Sequence, residues 1–406
     1  MFGKSNRIVI VLLLALCTMT GWSSPANPGE PYQANVALSL DPAKIEATLR
    51  WRDDVGQIDA IVPTLDKELT TSSAQGMSFI EIDPEVVGSS ISALEGTDLD
   101  RSLLTGSESK DKFYVLENNL RITNPGSATC QGLKLEVPLM ADIDSPYQEL
   151  VAEEFSVEPL ILNEADNGNR IGTFAFNDIG PGQETIFTQR YIVKVDGSDW
   201  LQSAGQVALG NTEPYLAAAP KIESNAPEIK AVASQIIDEA HAEDSLNLAR
   251  RAFDFTHRTL KYDSTAPSAN KGALAGLKAK AGVCEEFASL FVATCRASGV
   301  PARIVNGYAS DVSELAGEGN AANLTGRRHQ WAEFYLEGKG WIPADPTLTN
   351  SLNPMFGELP VGYYLAQNYG DLPIRGWYRG GQVSIGFEHK LAKTVGTEDN
   401  EQVSQF

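Results

Sequence analysis

Two residue types that enzyme sites draw on heavily are scarce here: 406 residues contain four histidines and four cysteines. Neither Cys-x-x-Cys nor His-Glu-x-x-His occurs, so the usual zinc-ligand spacings are missing. Phosphate-loop and dinucleotide patterns are absent too, and the sequence implies no cofactor and no metal. Positive charge is in short supply. Lys and Arg number 32 against 53 Asp and Glu, a formal net charge of −21. Such a surface repels phosphate backbones and anionic lipid, which argues against nucleic acid as a partner. Long hydrophobic runs are also lacking. The apolar stretch "IVIVLLLALC", from Ile8 to Cys17, is short for a membrane span, and no other stretch is apolar enough for stable membrane insertion.

What is present at the start has the order of a secretory signal: Lys4 and Arg7, the apolar run, then small and polar residues up to Ala26. Ser24 and Ala26 supply small residues at the positions a signal peptidase reads. Residues 1–26 are therefore expected to be a cleaved signal peptide and the mature protein to be secreted or periplasmic. A lipid anchor on Cys17 is the rival, and Leu16 stands where a small residue would precede such a cysteine, which counts against it. Loss of Lys4 and Arg7 leaves 30 basic side chains against 53 acidic ones, a charge of −23. Cys130, Cys284 and Cys295 then remain. In an oxidising compartment an odd count leaves a free thiol or an intermolecular bridge.

A chain of this length is expected to form two or more domains. Residues 27–111 have no clear reading. Asp41-Pro42 reads as the cap of a short helix with Ile45 and Leu49 on one face, and "MSFIEIDPEVV" as a strand entering a turn. From 112 to 198 apolar and polar residues alternate around the corners Asn124-Pro125-Gly126 and Gly180-Pro181-Gly182, which predicts an antiparallel β-sandwich. Past Pro220 the apolar spacing becomes three and four, predicting helices over "NAPEIKAVASQIIDEA" and "EDSLNLARRAFDFTHRTLKY", a shorter one near 272–280, and another from Cys284 to Ser298. Strands follow at "PARIVNGYA", "HQWAEFYL" and "WIPAD", separated by a long loop from Asp311 to Arg328. The span 220–390 is read as the second domain and 391–406 as a disordered tail.

Cys284 opens its helix, where unpaired backbone N–H groups and the positive end of the helix dipole favour a thiolate. Glu285 and Glu286 oppose that charge, so a cation is needed. Cys295 lies eleven residues on, about 16 Å along the same face, and reads as packing. His329 opens a strand, and Asp345 follows on the next. If Leu336-Glu337-Gly338 forms a three-residue hairpin loop, Tyr335 pairs with Lys339 and His329 lies opposite Asp345 on one face. A two-residue Gly338-Lys339 turn would put Asp345 on the wrong face. The first register uses Gly338 where a positive φ is required.

A Cys at a helix start, a His on a strand and an Asp on the next are the parts of a thiol acyl-transfer site. "GVCEEFASLFVATCRASGVPARIVNGY", "RHQWAEFYL" and "GWIPADPT" together resemble the transglutaminase-like superfamily, whose core is papain-related. The resemblance covers about residues 225–350. It implies an α+β core preceded by the β-sandwich, and a catalytic triad of Cys284, His329 and Asp345. No second oxyanion donor stands out between Tyr262 and Gly282.

Blander readings apply elsewhere. Trp331 and Trp341 read as core and Arg303 as one half of a buried ion pair, while His241, His257 and His389 read as surface or packing residues. Asn323-Leu324-Thr325 fits a glycosylation acceptor. The expectation is thiol-dependent cleavage of a peptide or isopeptide bond in a peptide or protein substrate outside the cytoplasm. Cross-linking of proteins and non-catalytic peptide binding are the alternatives.

Overall fold

The computed structural model describes residues 33–40, 43–51, 58–59, 77–82, 111–141, 148–165, 167–196, 201, 211–240, 244–309, 321–349, 355–359 and 364–393. The expected signal peptide with Cys17, His241 and residues 394–406 lie outside this set.

Strict alternation is what makes the segment from Asp111 onward a sheet. Along Asp111–Thr123, Leu116, Leu120 and Ile122 are buried on one face, two residues or a multiple of two apart. Two five-stranded antiparallel sheets result. The first runs Ala321–Asn323, Ser384–Lys393, Asp111–Thr123, Glu184–Asp196 and Gln148–Phe155; the second runs Met77–Ile82, Ile374–Arg379, Gln131–Leu139, Arg170–Ala175 and Pro159–Glu164. Leu120, Ile122, Leu133, Leu135, Phe174 and Phe187 form the apolar cluster they share. Asn124 ties the corners of this sandwich. Its Nδ2 donates to the carbonyls of Ala128 and Ile179, both at 2.8 Å, while its Oδ1 accepts from the N–H groups of Gly126 and Gln382, both at 3.0 Å.

The sheets do not respect the boundaries expected from sequence. Strands at 321–323, 374–379 and 384–393 belong to the sandwich rather than to the 220–390 unit, and Ser384–Lys393 runs into the expected disordered tail. Asp111–Thr123 pairs with Glu184–Asp196 along one edge and Ser384–Lys393 along the other. Apolar alternation shows which face of a strand is buried but not which strand lies beside it. The expected helix after Asp41-Pro42 is instead the strand Ala43–Trp51, paired with Gln33–Leu40. Ile45 and Leu49 are four apart, a spacing that fits one face of either element.

The remaining elements form an α+β unit. Four helices are described: α1 (Pro227–Ala240), α2 (Ser245–Thr259), α3 (Ala273–Ala279) and α4 (Cys284–Ala297). Asp244 caps α2, accepting from the Leu246 N–H at 2.9 Å. A four-stranded antiparallel sheet runs Gly340–Ala344, Arg328–Leu336, Ala302–Ala309 and Tyr364–Tyr369. Helix α4 is buried from Cys284 to Arg296. Phe291 meets Phe253 of α2 and Phe334 of the sheet edge-on, and Phe334 stacks on Phe356 at 4.9 Å. Gly299, at φ 84°, ends α4, and the Val300 N–H donates back to the Cys295 carbonyl at 2.9 Å. Tyr308 and Leu365 of this sheet join Leu116, Tyr191, Val193 and Leu391 of the sandwich in a second apolar cluster, so the two units share a buried interface.

Candidate active site

Cys284 is the first residue of α4, preceded by Val283 in extended conformation. As the first residue of the helix its backbone N–H has no carbonyl one turn back to bond. The side chain is buried, as are its candidate partners. Cys284 is 3% exposed, His329 1% and Asp345 0%. Cys130 and Cys295 are also free and fully buried, and burial pushes both thiols up, which fits packing roles.

Two buried carboxyls hold the start of α4 from behind. Glu286 accepts from the N–H groups of Val283 at 2.9 Å and Lys271 at 2.8 Å, so it caps its own helix and pins the preceding loop. A Cβ on Gly282 would sit 2.6 Å from the Glu286 Cβ, and one on Gly276 2.9 Å away. Glycine at these two positions makes room for the carboxyl. Glu285 accepts from the Gly272 N–H at 3.2 Å, and the Lys221 ammonium lies 3.8 Å away. Burial, followed by the neighbouring Glu286, pushes Glu285 up to about 10. That shift favours the uncharged carboxyl and so weakens the opposition to a thiolate expected from this side chain.

His329 and Asp345 meet, by a different register from the one expected. Leu336 pairs with Gly340 and Ala332 with Ala344, so the loop is Glu337-Gly338-Lys339. Gly338 does take a positive φ, 77°, and Gly340 takes another, 87°. The slip is two residues, which keeps every side chain on its expected face. Extended by one residue, this ladder sets Asp345 across from Trp331. His329 therefore reaches it diagonally, with Nε2 2.7 Å from Oδ2.

The Asp345 carboxylate accepts three further hydrogen bonds. The Tyr364 hydroxyl donates to Oδ2 at 2.6 Å, and the N–H groups of Thr347 and Leu348 donate to Oδ1 at 2.8 and 3.3 Å. Burial alone would raise this carboxyl, but His329 and these donors outweigh it and hold it below the ordinary value. Burial likewise opposes a charged imidazole. Asp345, and then the Cys284 thiol, overcome this and raise His329 to about 10. The Nδ1 of His329 has no hydrogen-bond partner among the described residues, and the Cys284 thiol is among the groups that act on the ring. An imidazole bonded to a buried carboxylate, with a helix-start thiol acting on the same ring, can accept the thiol proton and remain charged.

Trp331 stacks beside His329, centroids 6.1 Å apart at 22°. Arg303 bonds Glu333 at 2.6 Å and lies 4.0 Å over the Trp341 ring, in the structural place expected of it. His257 of α2 meets the carbonyl of Pro346, beside Asp345, at 3.1 Å. His389 is buried between the Tyr308 hydroxyl and Asn118, in the interface with the sandwich. Sequence reasoning missed Tyr364. It lies 19 residues beyond Asp345 on an edge strand of the sheet, and no local pattern ties that strand to the hairpin.

Comparison with known proteins places residues 230–346 in a match to the family described as the Transglutaminase-like superfamily. An uncharacterized protein of Haemophilus influenzae is 40% identical over 75 residues, 16% of this chain and 20% of that protein. The protein-glutamine gamma-glutamyltransferase of Pseudomonas aeruginosa is 28% identical over 124 residues, 30% of this chain and 18% of the other. A provisionally assigned cysteine protease from Cytophaga hutchinsonii superposes with a TM-score of 0.44 at 16% identity, over 70% of this chain and 99% of its own. The chain spans a third or less of the length of the curated relatives it matches.

Proposed function

From a core that belongs to the transglutaminase-like superfamily, we propose that this protein performs thiol-dependent acyl transfer on the amide bonds of a peptide or protein. Cys284 Sγ attacks the carbonyl carbon as its proton passes to His329. The tetrahedral oxyanion is met by the Cys284 backbone N–H. Collapse breaks the C–N bond, His329 returns the proton to the departing amine, and a thioester remains on Cys284. Water then attacks the thioester, His329 removes its proton, and the acid leaves with the thiol restored. Asp345 keeps the imidazole in the tautomer and orientation both halves require. The observation that carries this reading is the buried 2.7 Å bond between His329 Nε2 and Asp345, with the helix-start Cys284 among the groups acting on the same imidazole.

Hydrolysis is the preferred outcome because water needs no dedicated acceptor site. The second outcome, transfer to an amine, has in its favour the name of the Pseudomonas relative. Incorporation of a fluorescent primary amine into protein, measured against release of a new peptide terminus, separates the two. The setting we propose is outside the cytoplasm, supported by the basic, apolar and small-residue order of residues 1–26. Among the described residues no helix is long and apolar enough to cross a membrane.

The test is the rate of Cys284 alkylation by iodoacetamide as a function of pH, with modified cysteines assigned by peptide mass spectrometry. Fast reaction well below the ordinary thiol range of about 8.5, abolished by His329→Ala, is the expected result. A Cys284 that titrates as a free thiol with His329 intact would overturn the proposal in favour of a non-catalytic peptide-binding module.

A further inference from the structure

Asp345 Oδ2 receives two donors, and only His329 is needed for the chemistry above. The second is the Tyr364 hydroxyl at 2.6 Å, which bonds the same oxygen. A buried tyrosine hydroxyl needs an acceptor, but any backbone carbonyl would satisfy it. The Tyr364 ring is placed as specifically as its hydroxyl. Its centroid lies 5.9 Å from the His329 ring and 5.2 Å from Trp331, edge-on to the indole that stacks beside the imidazole. One side chain thus touches all three members of the His329, Asp345 and Trp331 group. It does so from the strand at the sheet edge, where Tyr364 pairs with Ala309.

We propose that Tyr364 is a positioning residue: its hydroxyl anchors the Asp345 carboxylate for His329 while its ring bears on the imidazole. This inference rests on the acyl-transfer reading. The hydroxyl acts through Asp345. A donor to the ionised carboxylate favours that form, and the Tyr364 bond is among the contributions holding Asp345 below its ordinary value. The titratable groups around Asp345 are His329 on the neighbouring strand, Cys284 of α4 behind it, Tyr364 on the edge strand, and His257 of α2 through the adjoining Pro346 carbonyl. Without the tyrosine hydroxyl the carboxylate protonates at a higher pH. The imidazolium then loses its support, and the thiol loses its base.

The experiment measures Cys284 alkylation by iodoacetamide across the acid limb for the wild-type chain, Tyr364→Phe, Tyr364→Leu and Tyr364→Gln, with circular dichroism to verify the fold. In Tyr364→Phe the acid limb should move up by about one pH unit and the plateau rate should fall roughly tenfold. Gln can donate where Leu cannot, and neither has the ring. Tyr364→Gln should therefore keep its acid limb nearer to wild type than Tyr364→Leu, a comparison that survives if loss of the ring loosens both variants. Wild-type limb and rate in Tyr364→Phe, or coincident Gln and Leu profiles, would show that Tyr364 is only a wall of the site. If instead the wild-type Cys284 titrates as a free thiol, the acyl-transfer reading falls first and this inference falls with it.

Discussion

Glu285 keeps a proton that the same residue gives up once the chain unfolds, and this sets a pH dependence for the whole protein. Burial and the neighbouring Glu286 push it up to about 10, far above the ordinary carboxyl value of 4.5, so the unfolded chain releases its proton first and stability falls as pH rises from 4.5 toward 10. His329 acts in the same direction at higher pH. Its contribution is full below the unfolded value of 6.5 and is lost as pH rises toward about 10. Asp345, held low, adds stability above its ordinary value of 3.8 and loses it as pH falls through the folded value. Glu285→Gln keeps the shape and removes the charge. Its melting temperature at alkaline pH should exceed that of the wild type by about 2 °C or more, with the gap closing near pH 4.5. Asp345→Asn should behave in the opposite way. It strips His329 of its counter-charge inside the core and should cost about 3 kcal/mol in chemical denaturation, along with the fast alkylation of Cys284.

At the scale of elements, α4 depends on two absent side chains. Gly282→Ala would drive a methyl against Glu286, displacing the carboxyl that holds both Val283 and Lys271. A loss of about 2 kcal/mol is expected by chemical denaturation, with slower Cys284 alkylation even where the fold persists. Much of this element was legible in the sequence, because a glycine, a cysteine and two acidic residues before an apolar run mark a helix start, and Gly299 and Pro301 mark its end. The meeting of His329 with Asp345 was legible too, though for an incomplete reason. Gly338 and Gly340 both suit positive φ, and only their joint use in a Glu337-Gly338-Lys339 loop sets the observed ladder. A two-residue slip preserves the faces, so the meeting survived the wrong register. Ile45 and Leu49 carried no such protection, since a spacing of four leaves helix and strand equally open. Tyr364 had no local signal at all: its partner is set by which strand lies at the sheet edge, and that is decided by tertiary packing.

For the whole molecule, the sandwich is assembled from segments far apart in the chain. Asp111–Thr123 is completed by Ser384–Lys393, and Gln131–Leu139 by Ile374–Arg379. The α+β unit lies between these segments in sequence and shares with them the cluster around Tyr308, Leu365 and Leu391. A chain ending at Pro373 should therefore lose cooperative unfolding and bind a dye that reports exposed apolar surface. Polarity patterns told the faces of these strands apart, and nothing local in them announced a partner more than two hundred residues away.

That closure by Ser384–Lys393 also sets a timetable. During synthesis α4 and the hairpin bearing His329 and Asp345 leave the ribosome before Ser384–Lys393 exists. The strand at Asp111–Thr123 must wait with one edge unpaired until Ser384–Lys393 has been made, more than 250 residues later. Pairings over such separations close slowly, because a long loop must be ordered before any contact rewards it. Until Ser384–Lys393 is in place, that strand edge is a ready template for pairing with another chain.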